Sequence, residues 1–240
     1  MIRTAAVHDD NPEVHEAHRR GIPVFERTQA WGALMRGYQN ALCISGTHGK
    51  TTTTSMCTHI MMAAEKDPTV MIGGTLPLLK ACHRVGKGNT IIMESCEYYN
   101  SFLALNPTIA VVLNIEADHL DFFKDLEDIK HSFRCFAERV PAETGTVIAN
   151  YDDANTMDAL RGIARKVITF GLNAKADVYA QNIVHRGSVS EFDIYHRGNY
   201  FARVTLHVPG IHNVRNALAA TAAAIVLGVS RTPSIWSCRI

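Results

Sequence analysis

The sequence predicts an α/β fold built on a mostly parallel sheet flanked by helices, with a small antiparallel section late in the chain. Three observations predict it. Apolar runs of strand length alternate with segments of helical spacing along most of the chain. Two of those runs, "NTIIMES" (89–95) and "TIAVVLNI" (108–115), are almost wholly apolar, as strands covered on both faces must be. From 177 to 209 the pattern changes to longer alternating strands punctuated by "HRG" at 185–187 and 196–198, which reads as an antiparallel excursion.

The elements follow in order. "TAAV" (4–7) reads as a short strand. Asn11 caps a helix with Pro12 at its first position, and Gly21 stops it. "IPVFE" (22–26) is a second strand, and a short helix runs on to Arg36. This opening reads as the closing βαβα of a domain whose earlier part is missing. "ALCIS" (41–45) is a strand, and 50–64 is a helix. After the two buried runs, 125–140 carries apolar residues at Leu126, Ile129, Phe133, Phe136 and Val140, which is helical spacing. "GTVIAN" and "KVITFG" are two more strands, and a last helix spans about 212–227.

Composition excludes several classes. A net charge of +1 over 240 residues gives no reason to expect nucleic acid or an anionic membrane as the main partner. No apolar run is long enough for a transmembrane helix, and the first residues turn polar too soon for a signal peptide. The six cysteines show no CxxC pair and no zinc-finger grouping with histidine, so reduced thiols in a cytoplasmic protein are expected.

The chemistry starts at "CISGTHGKTTTT" (43–54), where a strand ends, turns on two glycines and opens a helix. Gly46, Thr47, His48 and Gly49 form a turn that lets backbone N–H groups approach phosphate oxygens, and the helix N-terminus adds its positive end. Lys50 can bridge the outer phosphates of a polyphosphate, and Thr51 or its neighbour Thr52 can offer a hydroxyl to Mg²⁺. The stretch departs from the general phosphate-loop pattern at position 44, where Ile stands in place of glycine.

Two more strand ends carry candidates. Glu94 closes "TIIME", and His119 lies in "NIEADHLDFF" (114–123) just past the next run. In an open parallel sheet, ligands collect at the carboxyl ends of strands, where the loop also falls. A lysine, a carboxylate and an imidazole on three strand ends make a convergent phosphate and Mg²⁺ site. Asp118 and Asp121 flank His119, and capping the turn suits them as well as catalysis does.

"GTHGKTTTT", "MESCEYYNSFLALNPTIAVVLNIEADHLDFF" and "VPGIHNVRNALAA" together resemble the three signature regions of the Mur ligases, the ATP-dependent amide ligases of peptidoglycan precursor synthesis. The resemblance extends to about Gly228. Within the family, the histidine between the loop glycines and the "E..E...SFL.L.P" pattern are most similar to the alanine-adding branch. It implies that Lys50 holds the ATP phosphates, that Thr51 and Glu94 ligate one Mg²⁺, and that His119, joined by Glu94, serves a second. It implies that Asn216 contacts adenine, with His212 and Asn213 opening the same helix. It also places Glu97, Asn100 and Ser101 at substrate contacts. The implied substrates are UDP-N-acetylmuramate and L-alanine, joined through an acyl phosphate.

Other readings compete: a tripeptide, cyanophycin or folylpolyglutamate ligase of the same superfamily, a non-catalytic nucleotide-binding module, or a phosphate-loop kinase. The weak loop match and "ADHLD" argue against the kinase. By the resemblance, 1–37 is the end of a Rossmann-like UDP-binding domain, 38–228 the central ATP-binding domain, and 229–240 a tail outside the family. "VSRTPSIWSCRI" lacks helical periodicity, and an incomplete or frame-shifted copy is expected.

Overall fold

The computed structural model describes residues 1–4 and 7–231. Its first part is small. β1 (Ile2–Arg3) pairs in parallel with β2 (Phe25–Glu26), joined through α1 (Pro12–Arg19). Asn11 caps α1 by accepting from the N–H groups of Glu13 and Val14, and Gly21 follows in the left-handed region at φ 66°. The expected strand at 4–7 lies nearer the N-terminus, at Ile2–Arg3, and Ala5 and Ala6 are outside the described residues. The expected 22–26 strand shortens to Phe25–Glu26, because Pro23 has no N–H for a ladder. The Pro23 carbonyl instead accepts from the Met1 ammonium at 2.7 Å. α2 (Arg27–Met35) follows, closed at its start by a capping box between Glu26 and Gln29.

The rest builds one ten-stranded sheet. Its strands are β3 (Asn40–Ser45), β4 (Thr69–Leu76), β5 (Ala81–Arg84), β6 (Thr90–Glu94), β7 (Ile109–Val112), β8 (Thr146–Asn150), β9 (Lys166–Gly171), β10 (Val178–Arg186), β11 (Val189–His196) and β12 (Asn199–Leu206). Their order across the sheet is β12-β11-β10-β9-β8-β7-β3-β6-β4-β5. The run from β10 to β4 is parallel throughout, while β5 on one edge and β11 and β12 on the other are antiparallel. The antiparallel section expected at 177–209 is therefore an extension of the main sheet, since β10 continues it beside β9.

Helices cover both faces. α3 (Lys50–Ala63) and α6 (Ile211–Val226) pack together on one side; α4 (Leu126–Glu138) and α5 (Ala154–Ala159) cover the other. Most of α6 from Val214 to Ala224 is buried alanine or similarly small residues, which lets it lie close against α3 and the sheet. α4 buries Ile129, Phe133 and Phe136 as its spacing predicts. Phe136 stacks on Phe102 at 4.6 Å between ring centroids, and Phe133 meets Phe102 edge-on at 5.3 Å. Each such ring contributes roughly 2 kcal/mol or more by burial.

β3 lies between β6 and β7, yet the chain leaves it through α3 to β4, beyond β6. The carboxyl end of β3 is therefore a point where the sheet order reverses, which leaves a crevice there.

Candidate functional site

β3 ends at Ser45, whose hydroxyl donates to the Val111 carbonyl at 2.6 Å and ties the strand end to β7. Gly46 follows at φ 144°, where a Cβ would stand 2.8 Å from Leu113 Cβ. Gly49 caps α3 at φ 86°, where a Cβ would stand 2.6 Å from Asn216 Oδ1. Both positions need glycine for the backbone angle and for the space.

Between them, the Thr47 hydroxyl accepts from Glu116 N–H at 2.9 Å. The Asn114 side chain clasps His48 twice, accepting from its N–H at 2.8 Å and donating to its carbonyl at 3.0 Å. The exposed His48 ring lies 3.7 Å from Glu116. Asn114 was not singled out from the sequence; it holds the loop from the end of β7.

The four threonines divide their work. Thr54 donates to the carbonyl four residues back, as do Ser55 and Thr58, so those hydroxyls serve the helix. Thr53 is fully buried, and Thr52 sits half-buried on the first turn. Thr51 alone reaches across, donating to Glu94 Oε1 at 3.0 Å. The other Glu94 oxygen accepts from Gly73 N–H at 2.8 Å, and a Cβ at Gly73 would come within 2.6 Å of Oε1. Strand β4 thus orients the Glu94 carboxylate, a contact that sequence reading missed because Gly73–Gly74 looks like a break.

This pair fits Mg²⁺ carried by a polyphosphate. Such an ion takes one or two protein oxygens and fills its shell with phosphate and water. A hydroxyl and a carboxylate 3.0 Å apart at the mouth of the loop suit that need. No cluster of three His, Cys, Asp or Glu side chains suited to a metal occurs among the described residues, so a cage built from protein alone is not what the site offers.

Lys50 folds back over the loop. Its ammonium donates to the Gly46 carbonyl at 2.6 Å, the Thr47 carbonyl at 3.2 Å, and both Glu97 oxygens at 3.0 and 3.2 Å. Glu97 is 2% exposed. His119 sits in the left-handed region at φ 53°, stacks on Tyr98 at 4.4 Å, and brings Nε2 to 3.9 Å from Glu97. The imidazole therefore neighbours Glu97, whereas the carboxylate of Glu94 is engaged by Thr51 and Gly73. Asp118 accepts from His119 N–H at 2.7 Å, and Asp121 accepts from the Tyr98 hydroxyl. That bond to Asp121, before any other cause, raises the pKa of the phenol. Both aspartates thus hold the turn on which His119 sits.

The remaining expected contacts are used internally. Asn100 accepts from the Ser132 hydroxyl, and Ser101 donates to the carbonyls of Cys96 at 3.0 Å and Tyr98 at 2.8 Å. Ser101 does line a cavity of about 630 Å³, with Glu94, Tyr98, Arg27 and Trp31.

On the other side of the loop, α6 starts at Gly210, φ 99°. Asn213 donates to the Pro209 carbonyl at 2.7 Å, and buried Asn216 donates to Asn213 at 3.2 Å while turning Oδ1 toward Gly49. With His48, Gly49, Asp152, His212 and Arg215, Asn216 lines a cavity of about 460 Å³. Arg215 Nε is buried there without a hydrogen bond, 3.8 Å from Asp152. Neither Arg215 nor Asp152 stood out in the sequence, because a lone arginine in an alanine-rich helix carries no spacing signal.

Residues 44–224 match the model of the Mur ligase middle domain, and residues 2–39 that of the Mur ligase family, catalytic domain. The UDP-N-acetylmuramate–L-alanine ligase of Caldanaerobacter subterraneus subsp. tengcongensis is 44% identical over 231 residues, 95% of this chain and 50% of that protein. The ligase of the same name from Caldicellulosiruptor saccharolyticus is 43% identical over 96% of this chain and 51% of its own length. The chain thus spans about half the length of the curated relatives it matches. Among solved structures, the UDP-N-acetylmuramate–alanine ligase of Thermotoga maritima superposes with a TM-score of 0.82 at 27% identity, covering 98% of this chain and 52% of that one. The UDP-N-acetylmuramate:L-alanyl-gamma-D-glutamyl-meso-diaminopimelate ligase of Neisseria meningitides gives 0.83, also at 27% identity, with 96% of this chain and 74% of that one covered. The fold, the loop at its switch point and these matches together make the chain a member of the Mur ligase family.

Proposed function

We propose that this chain supplies the nucleotide-handling part of an ATP-dependent ligase that joins L-alanine to the lactyl carboxylate of UDP-N-acetylmuramate. The observation that carries the reading is the arrangement at the β3 switch point, where Lys50 lies over the loop carbonyls against Glu97 and Thr51 donates to Glu94. The names of the most similar relatives support the choice of substrates. In the division that follows, 1–37 belongs to the UDP-binding part, 38–228 handles ATP, and 229–240 is a tail outside the family.

The reaction has two steps. A lactyl oxygen attacks the γ-phosphorus, ADP leaves, and an acyl phosphate forms. The amine of alanine then attacks the acyl carbon, an amide forms, and phosphate leaves with the proton lost by the amine. Two anions must meet in the first step, so charge neutralisation and positioning carry most of the catalysis. Lys50 would supply a cation to the phosphates. Thr51 and Glu94 would hold one Mg²⁺, which spreads the phosphate charge, and His119 would serve a second. Asn216, with His212 and Asn213, would border the adenine. Asn100 and Ser101 would border the acceptor, with Ser101 lining the cavity of about 630 Å³, while Glu97, expected there too, is covered by Lys50 and His119.

A cytoplasmic setting suits such soluble substrates. The five cysteines among the described residues are unpaired, and no described helix is long and apolar enough to cross a membrane. A net charge of +1 gives no reason to expect nucleic acid as the main partner.

Calorimetric titration with Mg²⁺ and a β,γ-imido ATP analogue tests the reading. The chain is expected to bind, and Lys50→Ala to lose about a hundredfold or more in affinity, as removal of a buried charge-assisted contact does. Undiminished binding by the variant would sink the assignment. The Neisseria structure favours a second reading, addition of a preformed tripeptide. Exchanging alanine for that tripeptide in an ADP-release assay on the ligase separates the two.

A further inference from the structure

The least accessible charge at the site is Glu97, and its surroundings raise a question of their own. A carboxylate on a residue only 2% exposed must be matched by cations or donors, because an unmatched buried charge is costly. Its described partners are the Lys50 ammonium, held by both oxygens at 3.0 and 3.2 Å, and the His119 ring at 3.9 Å. Lys50 has three N–H donors, and the Gly46 carbonyl, the Thr47 carbonyl and Glu97 can take all three. The cation that should meet a phosphate is thus committed to the protein itself. A polyphosphate entering the loop has to draw Lys50 away from a buried counter-charge or share it.

We infer that Glu97 is a positioning residue: it sets the resting place of Lys50, folded over the loop carbonyls, and nucleotide binding works against this ion pair. The functional half of the inference rests on the reading of the loop as a nucleotide site. The position suits no direct contact with a large acceptor, because Glu97 is covered by Lys50 and His119 and does not line the larger cavity. Glu94, three residues earlier, differs: it faces the loop mouth and engages a neutral hydroxyl and a backbone N–H.

Glu97→Gln keeps the shape and removes the charge. Two measurements on the 240-residue chain test the inference. The first is the affinity for Mg²⁺ with β,γ-imido ATP, expected to rise about tenfold in the variant, the scale of one charged hydrogen bond. A merely structural role would leave affinity equal or lower, and either result overturns the inference. The second needs no nucleotide. Acetylation of the Lys50 amine by an N-hydroxysuccinimide ester, read by mass spectrometry, is expected to run about tenfold faster in Glu97→Gln, while exposed Lys175 reacts as before. An unchanged Lys50 rate overturns the inference.

Glu97→Asp keeps the charge but withdraws it by one methylene. It covers the case in which the glutamine variant does not fold, and a smaller rise in Lys50 acetylation is expected. The two readings fail separately. A chain that binds no nucleotide yet gains Lys50 reactivity in the variant keeps the positioning role and loses the nucleotide reading. Equal nucleotide binding with unchanged Lys50 reactivity does the reverse.

Discussion

Glycine does two different jobs in the interior of this sheet and at its antiparallel edge. At the β3 switch point, Gly46 and Gly49 have positive φ, and an added Cβ would collide with Leu113 or Asn216. In the hairpins of the antiparallel edge, Gly187 and Gly198 also have positive φ, yet an added Cβ would meet nothing within 4 Å. The edge needs glycine only to turn the chain. The switch point needs it to bring a second element, α6, against the loop. The difference teaches that a glycine-rich motif signals a site when its missing side chain is already another element's space.

Gly49→Ala is the strongest way to test that contrast. It sets Cβ 2.6 Å from Asn216 Oδ1 and places alanine at φ 86°. About 2 kcal/mol of stability should go to backbone strain, and Asn216 must shift as well. Affinity for the Mg²⁺–nucleotide analogue should fall about a hundredfold, since a small misplacement at such a loop is that costly. Titration beside a thermal melt checks both. A variant that loses the stability but binds normally would show that the loop's contact with α6 is packing alone.

Glu94→Gln sharpens the same side with a smaller effect. It leaves one acceptor oxygen for the Gly73 N–H and an amide N–H that can donate to the Thr51 hydroxyl, but removes the charge suited to Mg²⁺. Nucleotide affinity should drop about tenfold with Mg²⁺ present and change little in EDTA, as for the loss of one charged ligand. An equal drop in both conditions would assign Glu94 to the loop's scaffold instead.

How far the sequence could be read follows the same division. The buried strands were legible because both faces are covered, so β6 and β7 appear as uninterrupted apolar runs. The α4 helix was legible from its own period. The candidate residues on strand ends were legible because a parallel sheet gathers such ends. What escaped depends on sheet order, which no local period encodes. Strand β4 hides behind Gly73 and Gly74, yet it is where Glu94 finds its backbone donor. The Lys50–Glu97 pair spans 47 residues, and the Asn114 clasp on His48 spans 66. Both join neighbours of β3 that are remote along the chain, so only the observed order β7-β3-β6 brings them together.

Gly198→Ala should have the smallest effect, and it tests the other half of the contrast. Arg197 and Gly198 turn β11 into β12 with φ of 51° and 78°, the left-handed pair that a tight two-residue hairpin requires. Alanine there should cost about 1 kcal/mol, and asparagine less, because its side chain tolerates that region. Nucleotide affinity should not move in either variant. β12 stands six strands from β3 in the sheet order, and the hairpin strain has open space in which to relax. A loss of affinity in Gly198→Ala without a matching loss in Gly198→Asn would mean that the edge hairpin shapes the loop through the sheet. The two kinds of glycine would then no longer be separate.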